Sequence, residues 1–157
     1  MKLAVFTVML PDLTPEEAAE AVAEAGYEGL EWRMTRTPES RRGEAPSFWG
    51  NNLVTLGPHE AERARALAER RGLAMPNLGS YVAVGDLRGA EDALAFAAAA
   101  GIPAARVGVG ACEGGYGASF ERASRFLEGV AALAERYGVR ALVETHHDTI
   151  CSSAALA

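Results

Sequence analysis

The chain predicts an α/β fold on a parallel sheet, with five strands and four complete helices. Two observations carry this. Short apolar, partly β-branched runs alternate with longer helical runs. Four times a helical run closes on a glycine, at Gly26, Gly72, Gly101 and Gly138, and a new apolar run opens within two or three residues. Parallel strands joined by right-handed helical crossovers fit this order.

The elements follow in sequence. Residues 3–9, LAVFTVM, read as a buried strand. Thr14, Pro15 and Glu17 then form a capping box with proline at the first helical position. Ala18, Val22 and Ala25 give that helix its apolar face, and Gly26 ends it. A second strand covers about 28–32. The segment 34–57 breaks the pattern. It is rich in Pro, Gly, Ser and mixed charge, and it follows the carboxyl end of a strand, where ligand-binding loops sit in parallel α/β folds. Helices are expected over 58–71, after the cap Asp86 as far as Gly101, and over 119–136. The last carries an apolar stripe of Phe120, Ala123, Phe126, Leu127, Val130, Leu133 and Ala134. Strands follow near LAMPN, over 104–109, and in VRALVE. The closing CSSAALA reads as the start of another helix, with Ser152 or Ser153 as its cap.

Composition narrows the function. A chain of 157 residues, 49% of them hydrophobic, can bury the core of one domain. The net charge of −6, with no basic block, argues against nucleic acid as a partner. The apolar run in MKLAVFTVML is too short to span a bilayer and has no cleavage pattern after it, so no membrane partner is expected. Cys112 and Cys151 read as reduced thiols of a cytoplasmic protein. The glycine-rich GVGACEGGYG lacks both the P-loop lysine and the third glycine of a dinucleotide fingerprint.

The chemically informative residues stand at strand ends: Glu31 and Trp32, then Asn77, Ser80 and Tyr81, then Arg106, then Glu144 and His146. In an extended chain 142, 144 and 146 point one way and 143, 145 and 147 the other. Glu144 and His146 then share one cavity. Such a pair serves a divalent metal or acts as acid and base; a Glu paired with a nearby cation and a hydrogen-bonded His fits the pattern as well. Glu31 suits a sugar hydroxyl, or a pairing with Arg33 or Arg36. Trp32 suits the apolar face of a sugar, or the core. Arg106 interrupts an apolar strand and needs a partner, which Glu31 or Glu144 supplies.

The segments MKLAVFTVML, GYEGLEW, Asn77 to Tyr81, IPAARVGVG and VRALVETHHDTICSS, in this order and spacing, resemble the xylose-isomerase-like sugar phosphate isomerase/epimerase family. The resemblance implies a partial (β/α)8 TIM barrel, residues 1–157 forming one incomplete domain with the first five βα positions. It implies a small sugar or polyol substrate and a divalent metal (Mn, Mg, Co or Zn). Glu144 matches the first metal-binding carboxylate, which also serves as an acid/base group. His146 matches a polar position near the substrate, and Glu31 an acidic position lining the pocket. Trp32, Tyr81 and Arg106 complete the expected substrate-binding set. The family's other ligands, Asp, His and Glu, follow strands six to eight and have no counterpart here. Five strands leave two open edges, so truncation combined with self-association over those edges is the expectation. A sugar-binding or structural remnant and a hydroxy-acid dehydratase or lyase are the rival functions.

Overall fold

A computed structural model describes residues 1–153; the helix expected from CSSAALA lies outside the described residues. Five parallel strands form one sheet in chain order: β1 (Ala4–Phe6), β2 (Gly29–Met34), β3 (Leu78–Ser80), β4 (Ala104–Val107) and β5 (Arg140–Val143). The helices between them are α1 (Pro15–Glu24), α2 (Ala61–Arg70), α3 (Leu87–Ala100) and α4 (Tyr116–Tyr137). Each helix touches the next, α1 to α2, α2 to α3 and α3 to α4, so all four lie side by side over one face of the sheet. β1 and β5 are its two edges. This is five-eighths of a barrel wall with its helical coat, as expected.

The helix boundaries have local causes. The Thr14 side chain accepts from the Glu17 amide while Glu17 reaches back to the Thr14 amide, and Pro15 opens α1. Asp86 accepts from the Gly89 amide and starts α3. α3 and α4 stop where Gly101 and Gly138 turn left-handed, φ 76° and 65°. α2 starts at Ala61, three residues later than expected, because Gly57 to Glu60 form a turn held by Glu60 on the Gly57 amide. α4 starts at Tyr116, three residues earlier than expected, behind Gly115. Its stripe is buried at Ala123, Phe126 and Val130, but Phe120 is half exposed and stacks on Tyr116.

The core lies between sheet and helices. Leu30, Trp32, Leu78 and Ala105 point into it from the strands, and Ala18, Val22, Ala64, Leu94 and Phe96 from the helices. Segment 34–57 is not a free loop. Leu56 bridges Met34, Leu53 donates to the Pro11 carbonyl, and Val54 and Leu56 are fully buried. It folds back over the carboxyl end of β2.

Candidate functional site

The face of the sheet opposite the helices carries the chemistry. Parallel partners project to the same side. Phe6 pairs with Glu31, Arg33 with Gly79, and Arg106 with Leu142. These residues therefore share the inner, concave face, while Leu30, Trp32, Leu78 and Ala105 alternate into the core. Gly79 makes the inner face passable. A Cβ there would stand 2.3 Å from the Phe6 ring and 2.9 Å from Glu31 Oε1. Only a residue without a side chain lets Phe6 and Glu31 lean across β3.

Arg106 organises the site. Its Nη1 donates to Glu144 Oε2, and its Nη2 donates to the Ser80 carbonyl at 3.2 Å. Its guanidinium lies 5.4 Å from the Phe6 ring centre and 5.0 Å from that of Tyr81. The Ser80 hydroxyl in turn donates to the Arg106 carbonyl, tying β3 to β4 at this level. Glu31 is half-buried, and burial pushes its carboxyl above the ordinary range. The Arg106 charge and the Asn77 side chain oppose that shift; the Glu144 charge adds to it. Asn77 Oδ1 is buried without a partner, a spare acceptor beside Glu31.

Glu31, Tyr81, Arg106 and Glu144 are thus brought together as expected, and Glu144 is the partner of Arg106. Two expectations change. Trp32 is fully buried in the core and points away from the cavity, because it is one residue out of phase with Glu31. His146 does not join Glu144 by strand alternation, because β5 ends at Val143. Beyond it the chain turns through Asp148, at φ 63°, and His146 stacks on His147 at 4.0 Å with its Nδ1 2.7 Å from the His147 carbonyl. Glu31 pairs with neither Arg33 nor Arg36; Arg36 binds Asp92 instead. Arg33 was the residue missed as an inner-face group. It stands two positions after Glu31 and one beyond the expected strand end at 32, so extending that strand by one residue places it on the inner face.

The metal expected from the resemblance needs several donors. Among the described residues no three His, Cys, Asp or Glu side chains gather around one point, and the Glu144 carboxylate is engaged by Arg106. The donors present do not make a metal shell by themselves. Cys112 is exposed and Cys151 buried, both as free thiols. No helix among the described residues is long and apolar enough to cross a membrane.

The sequence model of the xylose isomerase-like TIM barrel matches residues 19–157. The chain belongs to that family. Solved structures agree on the fold. The E. coli 3-keto-D-glucoside 4-epimerase YcjR is 15% identical, with a TM-score of 0.68 over 95% of this chain and 57% of its own. The IOLI protein solved with a bound zinc atom is also 15% identical, with a TM-score of 0.68 over 99% of this chain and 56% of its own. The D-allulose 3-epimerase from Methylomonas sp. in complex with D-allulose is 12% identical, with a TM-score of 0.63 over 95% and 52%. The chain therefore spans little more than half of each of these family barrels. A comparison with curated proteins found no match.

Proposed function

We propose that this chain is the substrate-positioning half of a sugar isomerase or epimerase. The observation that carries the reading is the convergence, on the concave face, of Glu31 within β2, Arg106 within β4 and Glu144 just past β5. The sugar epimerases among the structural relatives support it. In this reading Glu144, aimed by Arg106, takes the proton from the carbon next to a sugar carbonyl. The C–H bond breaks and its electron pair moves toward the carbonyl oxygen, giving an enediolate. Glu31 in its protonated form donates a hydrogen bond to that oxygen; burial pushes its carboxyl above the ordinary range. Protonation of the same carbon from the opposite face, by a second acid, gives the epimer. Return of the proton from Glu144 to the neighbouring carbon, with the hydroxyl proton passing to the former carbonyl oxygen, gives the isomer. In a complete barrel Glu144 would offer one oxygen to a divalent metal, which would polarise the substrate carbonyl. His146 lies on the loop after β5 and reaches substrate only if that loop turns inward.

Self-association belongs to the same reading. Leu142 and Val143 on β5 and Leu3 before β1 are large apolar groups exposed at the two edges, and a second chain covering them removes that exposure.

The test is proton exchange. Ketohexoses and 3-keto-glucosides incubated with the protein in D2O with Mn or Mg gain deuterium next to the carbonyl, read by NMR, and Glu144→Gln abolishes the gain. No deuterium in any of these substrates, or equal exchange with E144Q, refutes the reading.

A further inference from the structure

Glu144 stands one residue past the end of β5, so no strand pairing fixes it. Its side chain is half exposed. Among the described residues its carboxylate has one hydrogen-bond partner, Nη1 of Arg106. The place of Glu144 is therefore set by the place of the arginine. An arginine side chain has many rotamers, and holding one of them takes further contacts. Arg106 has three. Its Nη2 donates to the Ser80 carbonyl at 3.2 Å, and its guanidinium lies 5.4 Å from the centre of the Phe6 ring and 5.0 Å from that of Tyr81.

Neither ring is there by sequence proximity. Phe6 belongs to β1, three places from β4 in the sheet. It reaches Arg106 only because it leans over Gly79 on β3, through the space a side chain there would fill. Tyr81 follows β3 and is itself held. Trp49 meets its ring edge-on at 6.1 Å, and the Arg33 guanidinium lies 4.9 Å from the ring centre. Arg33 is fixed in turn by the Thr55 hydroxyl. A guanidinium is weakly hydrated and favours aromatic faces, so two rings restrain it where water would not. Without them Arg106 has a rival acceptor in Glu31, whose carboxyl already feels its charge.

We propose that Phe6 and Tyr81 are positioning residues: their rings hold the Arg106 guanidinium in the orientation that presents Glu144 to the substrate. This role rests on the proposed proton transfer by Glu144 and supplies the residues that aim it. Tyr81 then acts through Arg106 and not as a contact of the substrate.

NMR of the 15N-labelled full chain at low temperature tests the restraint without turnover. The Arg106 guanidinium signals are assigned by their loss in Arg106→Lys. In wild type the Nη–H groups give separate signals, one of them moved downfield by Glu144 and returned upfield in Glu144→Gln. In Tyr81→Leu and in Phe6→Leu the signals average, as the guanidinium turns freely. Tyr81→Phe, which keeps the ring, restores the separation. Deuterium exchange into D-fructose and D-allulose tests the consequence. In Y81L the rate at saturation falls about tenfold or more, while the half-saturating ketose concentration stays within about twofold, and Y81F recovers most of the rate. Circular dichroism melting confirms that the variants fold. Tyr81 is 36% exposed; should Y81L still not fold, F6L gives the same reading from the other ring. Averaged signals in wild type, or separate signals that persist in the folded leucine variants, overturn the proposal. A Y81L defect confined to half-saturation also overturns it and makes Tyr81 a substrate contact. If wild type exchanges no deuterium, the catalytic reading fails and the arginine signals alone decide the restraint. If exchange depends on Glu144 but the signals ignore both rings, only the positioning role fails.

Discussion

The two faces of the sheet are built from the same strands and follow opposite rules. On β2, Leu30 and Trp32 are fully buried among apolar helix residues, while Glu31 and Arg33, alternating with them, bring charge to the concave side. On β4, Ala105 and Val107 are sealed into the core and Arg106 between them reaches Glu144, Phe6 and Tyr81. The helix-facing side is complete and tightly packed. The concave side is polar and carries Glu31, Arg33 and Arg106 beside Phe6 and Tyr81. Packing therefore fixes where the strands lie, and the residues one position out of phase turn that placement into chemistry.

The sharpest way to break this comparison is Trp32. It is among the largest fully buried side chains, on the packing face. Trp32→Ala is expected to lose ~3–5 kcal/mol of stability, measured as a shift in the urea midpoint. Trp32→Phe keeps most of the volume and removes an indole N–H that has no buried partner, so it lowers stability less. In neither folded variant does sugar affinity change. A weakened affinity in folded W32F would place Trp32 against the substrate and undo the division between faces.

Gly79 tests the other side. Its added methyl meets Phe6 and Glu31 on the concave face. Gly79→Ala is expected to destabilise by ~1–3 kcal/mol, through overpacking, and to displace Glu31 from Arg106. Unlike W32F it weakens sugar binding as well as stability, by calorimetry and urea unfolding together. A G79A protein with unchanged binding would show that the close approach of Phe6 and Glu31 does not matter to the site.

Much of this was legible in the sequence where a local rule decides. The Thr14 and Asp86 caps and the helix stops at Gly101 and Gly138 depend on neighbours a few residues away, and they stand where the pattern puts them. Glu144 stands one residue past the end of β5 and meets Arg106 on the inner face. Alternation applied to β2 would have sent Trp32 into the core, since it follows Glu31 directly. Arg33 and His146 were harder. β2 runs on to Met34 because Met34 pairs with Ser80 and bridges Leu56, contacts made by residues far away in sequence. β5 stops at Val143, and the turn through Asp148 takes His146 out of phase. Strand ends are set by tertiary partners, and a one-residue error there reverses the face on which a side chain acts.

The gentlest probe of the concave face is the proton on Glu31. Its folded carboxyl titrates above the ordinary carboxylate range, chiefly because burial disfavours the charged form. In the unfolded chain the carboxyl ionises at its ordinary value. Between those two points the folded state holds more proton than the unfolded state, so stability falls as pH rises. The contribution of Glu31 is therefore most favourable below the unfolded pKa and is lost progressively as pH climbs through the folded one, the reverse of a salt-bridged carboxylate. Other titrating groups obscure this in a single curve, but the difference between wild type and Glu31→Gln isolates it. Urea midpoints measured at intervals from pH 4 to 7 should show wild type losing ground to E31Q as pH rises. Curves that stay parallel would mean that Glu31 is solvated like a surface carboxylate. A wild type that gains on E31Q would mean that Arg106 outweighs burial and holds Glu31 ionised, removing it as the hydrogen-bond donor of the proposed mechanism.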